Sequence, residues 1–152
     1  MPQEDIIVVA VDGSKASHVA VRWAANTAMK RGVPLRLASS YTMPQDLFDD
    51  LQAETMEKID EAREIAHQAA PDIKIGHTVA EGSPIDMLLE MSKSVTMIVM
   101  GSRGLGGLSG MVMGSVSAAV VSHASCPVVV VREDNNVDET TKYGPVVVGV
   151  DG

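Results

Sequence analysis

The pattern with the clearest chemical meaning is a glycine-rich stretch between two apolar runs. Gly101-Ser102-Arg103-Gly104 follows residues 97–100 (MIVM), which have the composition of a buried strand. Nine residues separate Gly104 from Gly114-Ser115, and residues 116–121 then predict a helix. Glycine lets a backbone approach an anion closely, and the unpaired N–H groups of a helix N-terminus attract phosphate. The stretch therefore predicts a phosphate-binding cradle.

The elements that must position this cradle are those of an α/β fold. Apolar runs alternate with helical periodicity, the pattern of a parallel sheet with crossover helices. We expect an open five-stranded parallel sheet with helices on both faces, a Rossmann-like or flavodoxin-like three-layer sandwich of strand order 3-2-1-4-5. The predicted strands are residues 6–11, 35–40, 73–80, 96–100 and 128–131.

Two turns of this fold face the same crevice. Ligands of open parallel sheets bind beyond the carboxyl ends of the strands, where the winding reverses, here between strands one and four. Asp12-Gly13-Ser14 follows strand one, and the glycine-rich stretch follows strand four. Asp12 can serve there as a ligand-binding group, or it can satisfy its own turn and cap the first helix.

Composition excludes several partners. The net charge of −8 argues against nucleic acid and anionic membranes, both of which require basic surface. A single cysteine, Cys126, excludes an intrachain disulfide and suits a reducing cytosol, where we expect a small buried thiol and not a nucleophile. The acidic residues between Asp46 and Glu64 predict a solvated helix face. We therefore expect a cytoplasmic protein with neither a nucleic-acid nor a membrane partner.

The end of the sequence repeats its beginning. Residues 133–144 are polar and lack periodicity, which is typical of a linker. Residues 145–152 (PVVVGVDG) then resemble residues 6–13 (IIVVAVDG). We expect a binding domain over 1–132, a linker over 133–144 and the start of a second, truncated copy over 145–152; the alternative is an extra strand with a coincidental Val-Asp-Gly.

Competing catalytic motifs are incomplete. A P-loop requires lysine after its last glycine, and Gly107 stands where that lysine would be. The four histidines lack metal-ligand spacing, and there is no G-x-S-x-G elbow. The sequence thus predicts no catalytic residue, no metal site and no enzymatic activity.

Taken together, these motifs resemble the universal stress protein family, specifically its ATP-binding branch and the first domain of a tandem-domain member. The resemblance rests on Gly101-x-x-Gly104, nine residues, then Gly114-Ser115. It is supported by Val11-Asp12-Gly13-Ser14, Gly82-Ser83-Pro84 and Cys126-Pro127, and it covers residues 5–132.

The resemblance implies a role for each part of the site. The loop from Gly101 through Gly107 would wrap the phosphates of ATP, and the helix start at Gly114 would hold them. Asp12 and Gly13 would line the adenosine side, with Ser40 near the base, where the family usually has an aliphatic residue. The implied site residues are Asp12, Gly13, Ser40, Met100, Gly101, Ser102, Arg103, Gly104, Leu105, Gly106, Gly107, Gly114, Ser115 and Val116.

Three functions are compatible with these observations. The leading hypothesis is a stress-response module regulated by bound ATP, with or without Mg²⁺. The second is a slow ATPase or autophosphorylating enzyme in which Asp12 holds Mg²⁺ and Ser115 or Ser117 accepts phosphate. The third is a scaffold that pairs through an exposed edge strand, Val128–Val131, either as a homodimer or within the chain against a second copy.

Overall fold

The structure, a computed structural model, describes residues 4–42, 48–102, 114–132 and 146–148. Within these ranges the chain alternates strands and helices, as the apolar pattern predicts. The elements are β1 (Glu4–Ala10), α1 (Lys15–Arg31), β2 (Leu35–Tyr41), α2 (Phe48–Ala69), β3 (Ile75–Glu81), α3 (Pro84–Met91), β4 (Val95–Gly101), α4 (Ser115–His123), β5 (Val128–Val131) and β6 (Val146–Val148).

The sheet has the order β3-β2-β1-β4-β5-β6. Strands β1 to β5 are parallel, so the predicted order 3-2-1-4-5 is confirmed. The first strand is central because its apolar run is buried on both sides of the sheet, from Ile6 to Val9. The reversal of winding consequently falls between β1 and β4.

A sixth strand, from the segment expected to begin a second copy, covers the edge of Val128–Val131 through which we expected pairing; the edge is therefore not exposed. Val146–Val148 pairs antiparallel with β5, with Val129 opposite Val147. Three consecutive valines favour extended structure and fill the open edge of β5. The predicted linker, residues 133–144, lies outside the described residues.

The two faces of the sheet are covered by different helix pairs. Alternate residues of β1 point in opposite directions, so Ile7 and Val9 pack with the buried alanines of α1 and α2. Ile6 and Val8 join the other core with Leu88 of α3 and Val120 of α4. The predicted three-layer sandwich is therefore confirmed.

Local signals set where the helices begin and end. Ser14 caps α1 by accepting the N–H of Ser17, and Gly32 ends that helix in the left-handed region, with φ 68°. Ser83 caps α3 and is followed by Pro84 in the first turn. None of the helices in the described part of the chain is long and apolar enough to cross a membrane.

The acidic segment forms the outer face of α2. Its buried side includes Ile59, Ala62 and Ala66, which pack on the sheet. The carboxylates whose side chains the structure describes are exposed, which confirms the prediction of a solvated face: Asp50, Glu54, Glu57, Asp60, Glu61 and Glu64.

Candidate functional site

A cavity of about 540 Å³ lies beyond the carboxyl ends of the parallel strands. It is lined by the ends of β1, β2 and β4, the first turns of α3 and α4, and one residue each of α1 and α2. This volume is in the range of small-molecule and cofactor sites. The position is the crevice where the order of the strands predicts a ligand.

The turn after β1 satisfies its own polar groups. The Asp12 carboxylate accepts the Ser14 backbone N–H at 2.9 Å and the Ser14 hydroxyl at 2.6 Å. The Ser14 hydroxyl oxygen in turn accepts the N–H of Ser17 at 3.1 Å. Asp12 is exposed and lines the cavity, so it both orders its turn and faces the space where a ligand would lie.

Gly13 has a conformational reason to be glycine. Its φ is +82°, in the region that side chains disfavour. A Cβ at this position would also stand 3.3 Å from Cγ and Cδ of Lys58 on α2. Gly13 does not line the cavity, whereas Lys58 does.

The end of β4 packs tightly against the start of α1. A Cβ on Gly101 would lie 2.8 Å from the carbonyl carbon and the Cβ of Ala16, closer than real Cβ contacts. The Gly101 carbonyl accepts the hydroxyl of Ser117 at 2.7 Å, which ties the first turn of α4 to β4. Gly101 thus brings two helix starts together at the cavity, a packing role in addition to its predicted phosphate contact.

The start of α4 differs from the starts of α1 and α3 because no side chain caps it. Its N-cap is Gly114, whose backbone N–H donates to the Ser102 carbonyl. The following residues, Ser115 and Val116, line the cavity, and Ser115 is exposed. The first-turn N–H groups, with the positive end of the helix dipole, therefore stand beside the open space.

The opposite wall is formed by β2 and α3. The hydroxyl of Ser39 is buried and donates to the Val11 carbonyl at 2.7 Å, while Ser40 lines the cavity. Gly82 donates its N–H to the Tyr41 carbonyl at 2.8 Å, which closes the rim between β2 and α3. Met87 adds apolar surface to this wall.

Half of the predicted site residues meet at this cavity. Gly13 and the buried Ser102 lie next to it but do not line it. Arg103, Gly104, Leu105, Gly106 and Gly107 lie outside the described residues, and their roles stay predictions. Those that line it are Asp12, Ser40, Met100, Gly101, Gly114, Ser115 and Val116.

The sequence analysis missed Lys58, Tyr41 and Gly82, all of which line the cavity. Lys58 had a usable signal, since it directly precedes the buried Ile59 and is the first basic residue in the acid-rich helix α2. Gly82 also had one, as a glycine between a strand and a Ser-Pro helix start, where its φ is 124°. Tyr41 carries no such signal because it is simply the last residue of β2.

Two further predictions concern reactive groups. Cys126 is a free, buried thiol, as expected, and burial raises its pKa to about 11, so the thiol stays protonated at neutral pH. Ser117 is buried with its hydroxyl donated to Gly101, which makes it an anchor for α4 and leaves Ser115 as the exposed serine. Among the residues that the structure describes, no three His, Cys, Asp or Glu side chains form a metal-binding group.

A doubly wound parallel sheet with an uncapped helix start at its switch point defines the class of α/β domains to which many nucleotide-binding proteins belong. The chain belongs to the universal stress protein family, whose family model matches residues 4–132. It is 33% identical over 159 aligned positions to universal stress protein Rv2623 of Mycobacterium tuberculosis, an alignment that spans 96% of this chain and 54% of that protein. The chain thus spans about half the length of the curated relatives it matches.

Solved structures support the fold. A universal stress protein crystallised in complex with cAMP has a TM-score of 0.68 at 28% identity, covering 86% of this chain and 98% of that one. The structure of the hypothetical protein MJ0577 has a TM-score of 0.76, covering 88% of this chain and 99% of that one. At 19% identity, this second likeness shows the fold alone.

Proposed function

We propose that this protein binds ATP in the cavity at the β1–β4 switch point and acts as a nucleotide-regulated stress-response module. The observation that carries the proposal is the start of α4, where Gly114 leaves the first turn without a side-chain cap beside the cavity. An anion placed there would be stabilised by roughly 0.3–1 kcal/mol per favourable contact with the helix end.

The cavity also supports an adenine nucleotide over a bare anion. Its far wall offers apolar surface from Met87 and Met100, and backbone groups at the end of β2. The relative at 28% identity was crystallised with cAMP, which is an adenine nucleotide. The predicted glycine loop after Gly101 would enclose the phosphates.

The direct test is to identify nucleotide carried by the purified protein. Freshly purified protein is denatured, and the released small molecules are analysed by mass spectrometry, followed by calorimetric titration of nucleotide-free protein with ATP. We expect released adenine nucleotide and saturable binding of ATP. Absence of both released nucleotide and binding heat, together with no displacement of a fluorescent ATP analogue, would reject the proposal.

We further propose that the module is not an enzyme. Asp12 is the only carboxylate among the described residues that line the cavity, and two of its hydrogen bonds go to Ser14. Phosphoryl transfer relies on charged groups held in line with the transferred phosphate. Bound ATP should therefore stay intact during incubation with Mg²⁺; formation of ADP or phosphoserine that is lost in Asp12→Asn would instead support the ATPase hypothesis.

We also propose that residues 145–152 begin a second copy of the domain. The support is their similarity to residues 6–13, together with relatives about twice as long. The intact mass of the protein isolated from its native source tests this directly. A mass near twice that of the present chain is expected, and a mass equal to it would reject the proposal.

A further inference from the structure

Lys58 is a half-buried lysine at the cavity with no role in the predicted site. It projects from α2, and its Cγ, Cδ and Cε run past Gly13, at 3.3–3.4 Å from the point where a Cβ on Gly13 would stand. Among the described lining residues, Lys58 and Asp12 are the only ones with a charged side chain. Lys58 thus supplies the positive charge of this part of the wall.

Lys58 has acidic neighbours on its own helix but forms no ion pair with them. Glu54 and Glu61 lie four residues before it and three after it on α2, the spacing at which helical charges commonly pair. Within the described ranges, however, no carboxylate comes within 4.0 Å of the Lys58 ammonium, whereas Lys93 bonds Glu90 at 3.0 Å. The stem of Lys58 follows the β1–α1 turn along the cavity instead of reaching for these exposed acids.

We propose that the Lys58 ammonium binds an anionic group of the nucleotide and sets the preference for highly phosphorylated ligands; this inference rests on the proposed function. The phosphates would then be held from both helix layers, one on each face of the sheet. Helix α4 presents backbone N–H groups from one face of the sheet, and α2 presents a full positive charge from the other. Glycine at position 13 gives the lysine stem room to pass.

If Lys58 contacts the phosphates, the affinity of the protein should depend on the charge of the ligand. A lysine at the phosphates adds Coulomb attraction that grows with the number of phosphate charges and weakens in salt. Adenosine carries no such charge and would not interact with it. A lysine with a purely structural role would change binding of all these ligands alike.

The test compares Lys58→Met with Lys93→Met. Methionine keeps an unbranched stem beside Gly13 and removes the charge, while Lys93 is an exposed lysine outside the cavity lining. Affinities for ATP, AMP and adenosine are measured by calorimetry at low and high salt, after thermal unfolding shows that each variant is folded. For Lys58→Met at low salt we expect about a tenfold loss for ATP, a smaller loss for AMP and no change for adenosine.

Further outcomes separate this inference from the proposal on which it rests. High salt should shrink the difference between wild type and Lys58→Met, Lys58→Arg should restore most ATP affinity, and Lys93→Met should behave as wild type. Equal ATP affinity in Lys58→Met and wild type, or equal losses for ATP and adenosine, would overturn the role of Lys58 alone. A wild-type protein that binds none of these ligands would overturn the proposed function as well.

Discussion

The helices α1 and α4 begin side by side at the cavity, but their first turns are satisfied in different ways. At α1, Ser14 accepts the N–H of Ser17 and also bonds Asp12, so the turn is complete in itself. At α4, Gly114 offers no side chain, and Ser115 is exposed. The comparison shows that side chains satisfy the first turn of α1, whereas the first turn of α4 has no side-chain cap and lies beside the cavity.

The largest change in stability should come from disturbing the close packing of the end of β4 against the start of α1. Gly101→Ala would place a Cβ 2.8 Å from Ala16, against backbone that cannot move freely, and we expect it to lower the free energy of unfolding by about 2 kcal/mol. Urea denaturation measures the loss. Gly76→Ala is the matched control, since a Cβ there meets nothing within 4 Å; equal stabilities for the two variants would contradict the close packing.

The second test gives α4 the kind of start that α1 has. Gly114→Asp supplies a side-chain cap, which fits the backbone at φ −76°, and a negative charge where a phosphate would lie. We expect ATP affinity to fall at least about tenfold, while the free energy of unfolding stays equal or rises by a few tenths of a kcal/mol.

Calorimetry and urea denaturation measure these two quantities on the same protein. Gly114→Asn serves as the control because it caps without a charge, and its loss of affinity should be smaller. If Gly114→Asp bound ATP as tightly as wild type, the start of α4 would not be the phosphate site.

The third test removes the cap from α1. Ser14→Ala loses the hydroxyl that accepts from Ser17 and should lower the free energy of unfolding by about 1 kcal/mol. Ser115→Ala, at the exposed start of α4, should change it by less than about 0.5 kcal/mol. Thermal or urea unfolding of the pair distinguishes them, and a larger stability loss in Ser115→Ala would reverse the comparison.

The smallest expected effect concerns the hydrogen bond that joins the first turn of α4 to the end of β4. Ser117→Ala removes the hydroxyl bond to the Gly101 carbonyl and should cost about 0.5–1 kcal/mol of stability. Ser122→Ala is a suitable control because Ser122 is exposed and its hydroxyl bonds the Ala118 carbonyl within the same helix. Similar losses in the two variants would argue against a special role for Ser117.

The sequence predicts the parts of the molecule that depend on local pattern. The central position of β1 follows from a run that is apolar on both sides, and the succession of strands and helices follows from apolar runs that alternate with helical periodicity. The cavity follows from two turns at one sheet edge. These features can be predicted because each depends on a few neighbouring residues.

Contacts between segments that are distant in the sequence could not be predicted from such local patterns. The close approach of Lys58 to Gly13, and of Gly101 to Ala16, depends on how entire helices pack on the sheet. The bond from Ser39 to Val11 joins residues 28 positions apart. The sequence predicts pairing through Val128–Val131, but a valine run does not indicate which partner it takes or in which direction, so the antiparallel pairing of β5 with β6 could not be specified.

Strand β6 has a consequence for longer forms of the chain. If residues 145–152 start a second sheet as β1 starts the first, Val146–Val148 would lie between two parallel neighbours, with both backbone edges occupied. A strand cannot then also donate its N–H groups to β5, so the two placements exclude each other. In that arrangement the outer side of β5 would be uncovered and available to a different segment or to a second molecule.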